Sequence, residues 1–219
     1  MRRRRSRSST RRFLWALVAA VVGLIQLWDF NRTKPPAPTP ESGPWFVTLR
    51  DVRLLENGGN DGDSFKVAHS EGEQVLRLYF VDCPETRDYP LVHGRLKDQA
   101  GYFGGLSIPQ AIQTGTEART YTGRLLRERR FTVHTRWERV YNSERVYALV
   151  FFEDGEELSE KLVRSGLCRI HTKGTLMPDG RSEYEFENHL RAMEDEARKT
   201  RRGAWGLQQR EGTAAAARR

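Results

Sequence analysis

Three short segments hold residues whose types and spacing suit chemistry on an anion. The first is Asp61-Gly62-Asp63-Ser64. The second is Leu76-Arg77-Leu78-Tyr79-Phe80-Val81-Asp82-Cys83-Pro84-Glu85, in which an arginine interrupts an apolar run and two carboxylates follow its end. The third is Glu144-Arg145-Val146-Tyr147-Ala148, with a second arginine where another apolar run begins. An arginine inside such a run needs an anionic partner, either a protein carboxylate or a ligand phosphate. Each segment also has a plain structural reading. Asp-Gly-Asp makes a tight solvated turn, Arg77 pairs with Asp82 or Glu85, and Arg145 pairs with Glu144. Asp82-Cys83-Pro84-Glu85 reads as a turn with a proline at a helix start. The five histidines lack the paired helical spacing of a zinc site. The two cysteines, Cys83 and Cys168, read equally as one disulfide or two buried thiols.

Alternation predicts the elements that position these residues. Phe46, Val47, Leu49, Val52 and Leu54 suggest a first strand. Asn57-Gly58-Gly59-Asn60 turns into Phe65–Val67, and Val75–Val81 makes a third strand. On that third strand Arg77, Tyr79 and Val81 share one face. Residues 86–113 read as an inserted, partly ordered excursion. Thr116 caps a helix whose apolar face uses Ala118, Tyr121, Leu125 and Leu126. Phe131–Trp137 and Val146–Phe152 form a strand pair. Asp154-Gly155 turns into a helix carrying Leu158, Leu162 and Val163, which Gly166 ends. Leu167–His171 is a last short strand. Ser182-x-x-Glu185 is a capping box opening a helix with Phe186, Leu190, Met193 and Ala197 on one face. Five strands with helices outside them fit a small barrel.

Taken together and in order, these segments resemble the staphylococcal nuclease (thermonuclease) family, from about Trp45 to Trp205. The shared motifs are Asp-Gly-Asp-Ser, Arg-Leu-x-x-Val-Asp-x-Pro-Glu, Arg-x-x-Ala, Asp-Gly-x-x-Leu-x-x-x-Leu-Val-x-x-Gly-Leu and the late helix ending at Trp. The resemblance implies an α+β fold, a five-stranded OB-fold barrel with three helices. It implies calcium-dependent hydrolysis of DNA and/or RNA by water attack at phosphorus, leaving 3′-phosphates. Carried over by position, Asp63, Asp82 and the Cys83 backbone carbonyl would bind Ca2+, with Asp61 in support. Glu85 would position or deprotonate the attacking water, and Arg77 and Arg145 would grip the phosphodiester. It also places Cys168 beside the Cys83 loop, implying a Cys83–Cys168 disulfide. Two features depart from the family. Asn142-Ser143 replaces the Lys-Tyr that usually precedes the second arginine, and the base-stacking tyrosines fall near Thr172 and Gly174. The insertion offers Tyr89, Tyr102 or Phe103 in their place. A non-catalytic nucleic-acid or protein binding module is the alternative, and loss of a carboxylate or arginine would favour it. None is lost.

The net charge of +8 would suggest a nucleic-acid binder, but its distribution says otherwise. Residues 1–34 carry nine of the 37 basic residues and one of the 29 acidic ones, so the remaining chain holds 28 of each. Seven arginines precede the apolar run Phe13–Trp28. About 16–18 residues span roughly 24–27 Å as a helix, near the thickness of a bilayer core. The arginines should stay cytoplasmic. The expected organisation is a basic arm (1–12), a transmembrane anchor or signal segment (13–30), a Pro-rich linker (31–44), the thermonuclease-like domain (45–206) and a disordered tail (207–219). The catalytic domain is expected outside the cytoplasm as a membrane-anchored monomer, or secreted if the segment is cleaved.

Overall fold

The computed structural model describes residues 46–207. The basic arm, the anchor at 13–30, the linker and the tail from 208 lie outside the described residues. Among the described residues, no helix is long and apolar enough to cross a membrane. The elements run β1 (Val47–Leu49), β2 (Arg53–Leu54), β3 (Ser64–His69), β4 (Gly72–Leu78), β5 (Val81–Asp82), α1 (His93–Tyr102), α2 (Ile108–Glu128), β6 (Phe131–Arg139), β7 (Val146–Phe152), α3 (Leu158–Arg164), β8 (Arg169–Ile170) and α4 (Glu183–Lys199). A 3-10 turn at Gly203–Gly206 follows.

Six strands form one mixed sheet in the order β1-β6-β7-β4-β3-β2, while β5 and β8 pair separately. β7 is buried at every residue, as a central strand rich in Val, Leu and Phe should be. It pairs antiparallel with β6 and parallel with β4. The expected five-stranded barrel with three helices is corrected here: the described residues form an open six-stranded ladder with four α-helices. The first strand is broken by Asp51, whose φ of 53° turns the chain. Val47–Leu49 therefore pair with β6, and Arg53–Leu54 pair with β3. The two ends of the ladder are consecutive segments of the same run.

The additional helix, α1, comes from the insertion, which is ordered. Leu96, Ala100, Phe103, Leu106, Ala111 and Ala204 form a second apolar cluster, with Tyr102 and Trp205 packed against it. α2 begins nine residues earlier than the Thr116 start, because Ser107 and Gln110 form a capping box and Pro109 occupies the first turn. The Ser-x-x-Gln signature was present in the sequence. The third strand is also shorter than the alternation implied. Phe80 takes φ 67°, so the chain leaves β4 at Leu78 and starts β5 at Val81. The Phe80 ring meets Phe186 of α4 edge-on at 4.8 Å, which anchors the bend in the main core.

α2 is seated against the segments that carry the carboxylates. Thr122 Oγ1 donates to the Gly62 carbonyl at 2.7 Å. A methyl at Gly62 would press on Ala118 and Cys83, and one at Gly115 would overlap the Pro84 and Glu85 carbonyls. The absence of a Cβ at Gly115 is thus what lets α2 approach the 82–85 loop. Gly115→Ala should destabilise the fold by about 1–3 kcal/mol, the usual cost of overpacking. A thermal melt with an unchanged midpoint would show that α2 does not need this close approach.

Candidate active site

Sheet register brings the first two segments together. Ser64 lies opposite Arg77 on β3 and β4, so Asp63 arrives at the end of β3 beside that arginine. The turn holding Asp63 is built by Asp61, whose Oδ1 accepts the Asp63 and Ser64 backbone N–H groups at 3.1 and 2.6 Å. Asp61 is thus engaged as a turn residue. Past the Phe80 bend, β5 pairs with β8 and sets Asp82 opposite Arg169. One residue on, Cys83 is joined to Cys168 by a disulfide, with Cα atoms 4.1 Å apart. The pairing ties the loop to β8.

Arg77 is buried and bridges the two aspartates. It donates to Asp63, and its Nη2 donates to Asp82 Oδ1 at 2.8 Å. Asp63 also accepts from the Cys83 backbone N–H. The local reading of Arg77 as a partner of Asp82 is therefore part of the answer, with Asp63 as the second acid. Asp82 Oδ2 is engaged twice more, by Arg169 Nε at 2.8 Å and by Gln99 Nε2 at 2.8 Å. Gln99 comes from α1 and is fully buried. Its Nε2 also donates to the Cys83 carbonyl at 3.0 Å, and its Oε1 accepts from the Glu85 N–H at 3.1 Å. Glu85 pairs with Arg95, one helical turn before Gln99 on the same helix.

The cleft in front of this network has a volume of about 390 Å3. Six cations line it, Arg77, Arg95, Arg139, Arg145, Arg169 and Lys173, against the single carboxylate of Asp82. Arg145 reaches Ser64 Oγ and Ser143 Oγ at 3.5 Å. Among the described residues no carboxylate pairs with it, so the local Glu144 reading is not what the structure has. Asp63 and Glu85 do not line the cleft. Sequence reasoning missed Gln99, Arg95, Arg139, Arg169 and Lys173. Of the three insertion aromatics, Phe103 is fully buried and its ring lies 4.8 Å from Trp205. Tyr102 donates to Glu194 at 2.5 Å, and Tyr89, though exposed, is not in the cleft wall. None of the three lines the cleft. The exposed aromatic in the wall is Tyr141, from the β6–β7 turn.

Residues 75–206, more than half of the chain, match the model of the family described as staphylococcal nuclease homologue. The chain belongs to the staphylococcal nuclease homologue family. No curated protein matches it. Asp61 and Asp63 precede the matched segment, and it is the β3–β4 register that joins Asp63 to the rest of the family's site.

Members of this family are typically calcium-dependent, and the set proposed for the ion consists of hard oxygens of the right kind. Asp82 Oδ2 and the Cys83 carbonyl converge on one point, held here by the Gln99 amide nitrogen. A common donor position therefore exists. Among the described residues a different group of metal-capable atoms also converges, Asp63 with Cys83 and Cys168, but both sulfurs are in the disulfide.

Electrostatics separate the two carboxylates that flank the loop. Burial pushes the Asp82 pKa up, but Arg77, Gln99 and Arg169 outweigh it and leave the group below its ordinary value. Burial raises Glu85, with Asp61 and Asp82 adding to the rise against the pull of Arg95. Asp82 thus stays ionised, while Glu85 is more basic than an ordinary glutamate. Because the folded pKa of Asp82 is depressed, its contribution to stability is present above the unfolded value of 3.8 and is lost as pH falls through the folded value. Arg169→Met removes one of its two guanidinium partners. We expect a loss of roughly 3 kcal/mol at neutral pH, with the acid-unfolding midpoint moved to higher pH. An unchanged acid transition in the variant would mean that Arg169 does not hold Asp82 in its charged form.

Proposed function

We propose that the chain is a calcium-dependent nuclease that hydrolyses phosphodiester bonds of DNA and/or RNA. The observation that carries this reading is the pair of arginines at one cleft. Arg77 is fixed by two aspartates, and Arg145 reaches the same cleft with no carboxylate partner among the described residues. A phosphodiester entering a wall of six cations is the anion that Arg145 lacks. There Arg77 and Arg145 bind phosphate oxygens and offset the charge that grows on them during attack. Glu85, with its raised pKa, accepts a proton from the attacking water at its carboxylate. Arg95 keeps that carboxylate oriented. Asp63, Asp82 and the Cys83 carbonyl are the groups that would hold a calcium ion, which would supply Lewis-acid polarisation of the phosphate.

The same reading places the domain outside a membrane, held by residues 13–30. Support comes from the arginine block before that run and from the Cys83–Cys168 disulfide, a bond that persists in oxidising compartments. A binding module that holds nucleic acid without cutting it is the second reading. One observation favours it: the Asp63 and Asp82 carboxylates are already engaged by protein donors.

Digestion of plasmid DNA and of RNA by the full chain separates the two. Hydrolysis should require calcium and stop with a chelator. Glu85→Gln and Arg145→Ala should each lower kcat by about a hundredfold or more without changing the melting temperature. Binding without hydrolysis, or hydrolysis that survives both substitutions, would rule out this mechanism.

A further inference from the structure

Two of the oxygens assigned to calcium, those of Asp82 and the Cys83 carbonyl, are bridged by a side chain that the family resemblance gives no role. Gln99 Nε2 lies 2.8 Å from Asp82 Oδ2 and 3.0 Å from the Cys83 carbonyl oxygen. The orientation of the amide is fixed by its partners. The Glu85 N–H can only donate and meets Oε1 at 3.1 Å, while the Cys83 carbonyl can only accept and meets Nε2 at 3.0 Å. Both amide hydrogens and the amide oxygen are therefore used, and the side chain is fully buried.

Asp82 Oδ2 has a second donor, Arg169 Nε at 2.8 Å, so both of its lone-pair directions are occupied. Calcium takes oxygens at about 2.3–2.6 Å. A cation bridging Asp82 Oδ2 and the Cys83 carbonyl would have to stand where the amide nitrogen now is. Two donors, a cation and an N–H2 group, cannot share that place.

We propose that Gln99 is a gate on the cation position: the ion binds only when the amide turns away from Asp82 and Cys83. Turning the amide also takes Oε1 from the Glu85 N–H. Loading of the cation is thereby coupled to the backbone that carries the proposed base. The gate belongs to α1, and so to the insertion rather than to the sheet. Four residues before Gln99, Arg95 holds the Glu85 side chain, so one face of α1 controls both ends of the Asp82–Glu85 loop. This inference rests on the calcium reading above, and its test measures cation binding rather than hydrolysis.

Two substitutions in the full chain separate gating from support. Gln99→Glu keeps the acceptor for the Glu85 N–H but replaces the donor with a ligand oxygen. Gln99→Met removes the donor without adding a ligand. Terbium luminescence, with calcium as the competitor, reads affinity directly, and calcium-dependent melting reads it through stability. Gln99→Glu should bind about tenfold more tightly than the wild type or better, the factor expected for removing a hydrogen bond to a charged group. Gln99→Met should shift in the same direction. Adding Asp82→Asn to either variant should abolish the gain. If Gln99→Glu folds only with calcium present, that supports the gate, and Gln99→Met carries the affinity comparison. Wild type binding as tightly as both variants overturns the gate and leaves the calcium reading standing. Absence of binding in all of them overturns both.

Discussion

The structure around the cleft depends on one buried interaction, the guanidinium of Arg77 held between Asp63 and Asp82. The two acids come from different elements, the turn before β3 and the short strand β5, and the arginine bridges their carboxylates while Asp63 also takes the Cys83 N–H. Taking such charges out of water costs several kcal/mol per ion, so an arrangement of this kind adds little to stability in itself. What it contributes is position. With one donor nitrogen on each carboxylate, the fork fixes where the β3 turn and the β5 loop stand relative to each other. Arg169 and Gln99 then complete Asp82, and the disulfide fastens the next residue.

Arg77, Asp82 and Glu85 were legible in the sequence because each breaks a local pattern. Arg77 interrupts an apolar strand, and Asp82 and Glu85 follow where the strand stops. Arg169 gave no such signal. Its role depends on standing opposite Asp82 across β5 and β8, in segments 87 residues apart, and that register is a property of the fold. The same holds for the bend at Phe80, where a bulky residue adopts φ 67° because its ring is secured against Phe186. Alternation alone continued the strand through it. The break at Asp51 is a similar case: it divides the expected first strand into β1 and β2, which pair at opposite ends of the ladder.

The insertion was the least legible part. Its Gly, Pro and charge content reads as a loose excursion, yet it folds because it has a core of its own. Leu96, Ala100 and Phe103 of the α1 region meet Leu106, Ala111 and the 3-10 turn carrying Ala204, with Trp205 alongside. Packing on that side directs the adjoining face of α1, with Arg95 and Gln99, into the 82–85 loop. Likewise, the neutral charge of the chain after residue 34 concealed a cleft with six cations, because whole-chain balance says nothing about which side chains converge.

The central claim is that this network is a centre for phosphodiester hydrolysis by water. Its most direct test is mass spectrometry of a short single-stranded oligonucleotide incubated with the full chain and calcium in 18O-labelled water. Fragments ending in a 3′-phosphate that carries the label at phosphorus are the predicted result. An intact oligonucleotide retained by the protein, or fragments with unlabelled phosphate, would contradict the account.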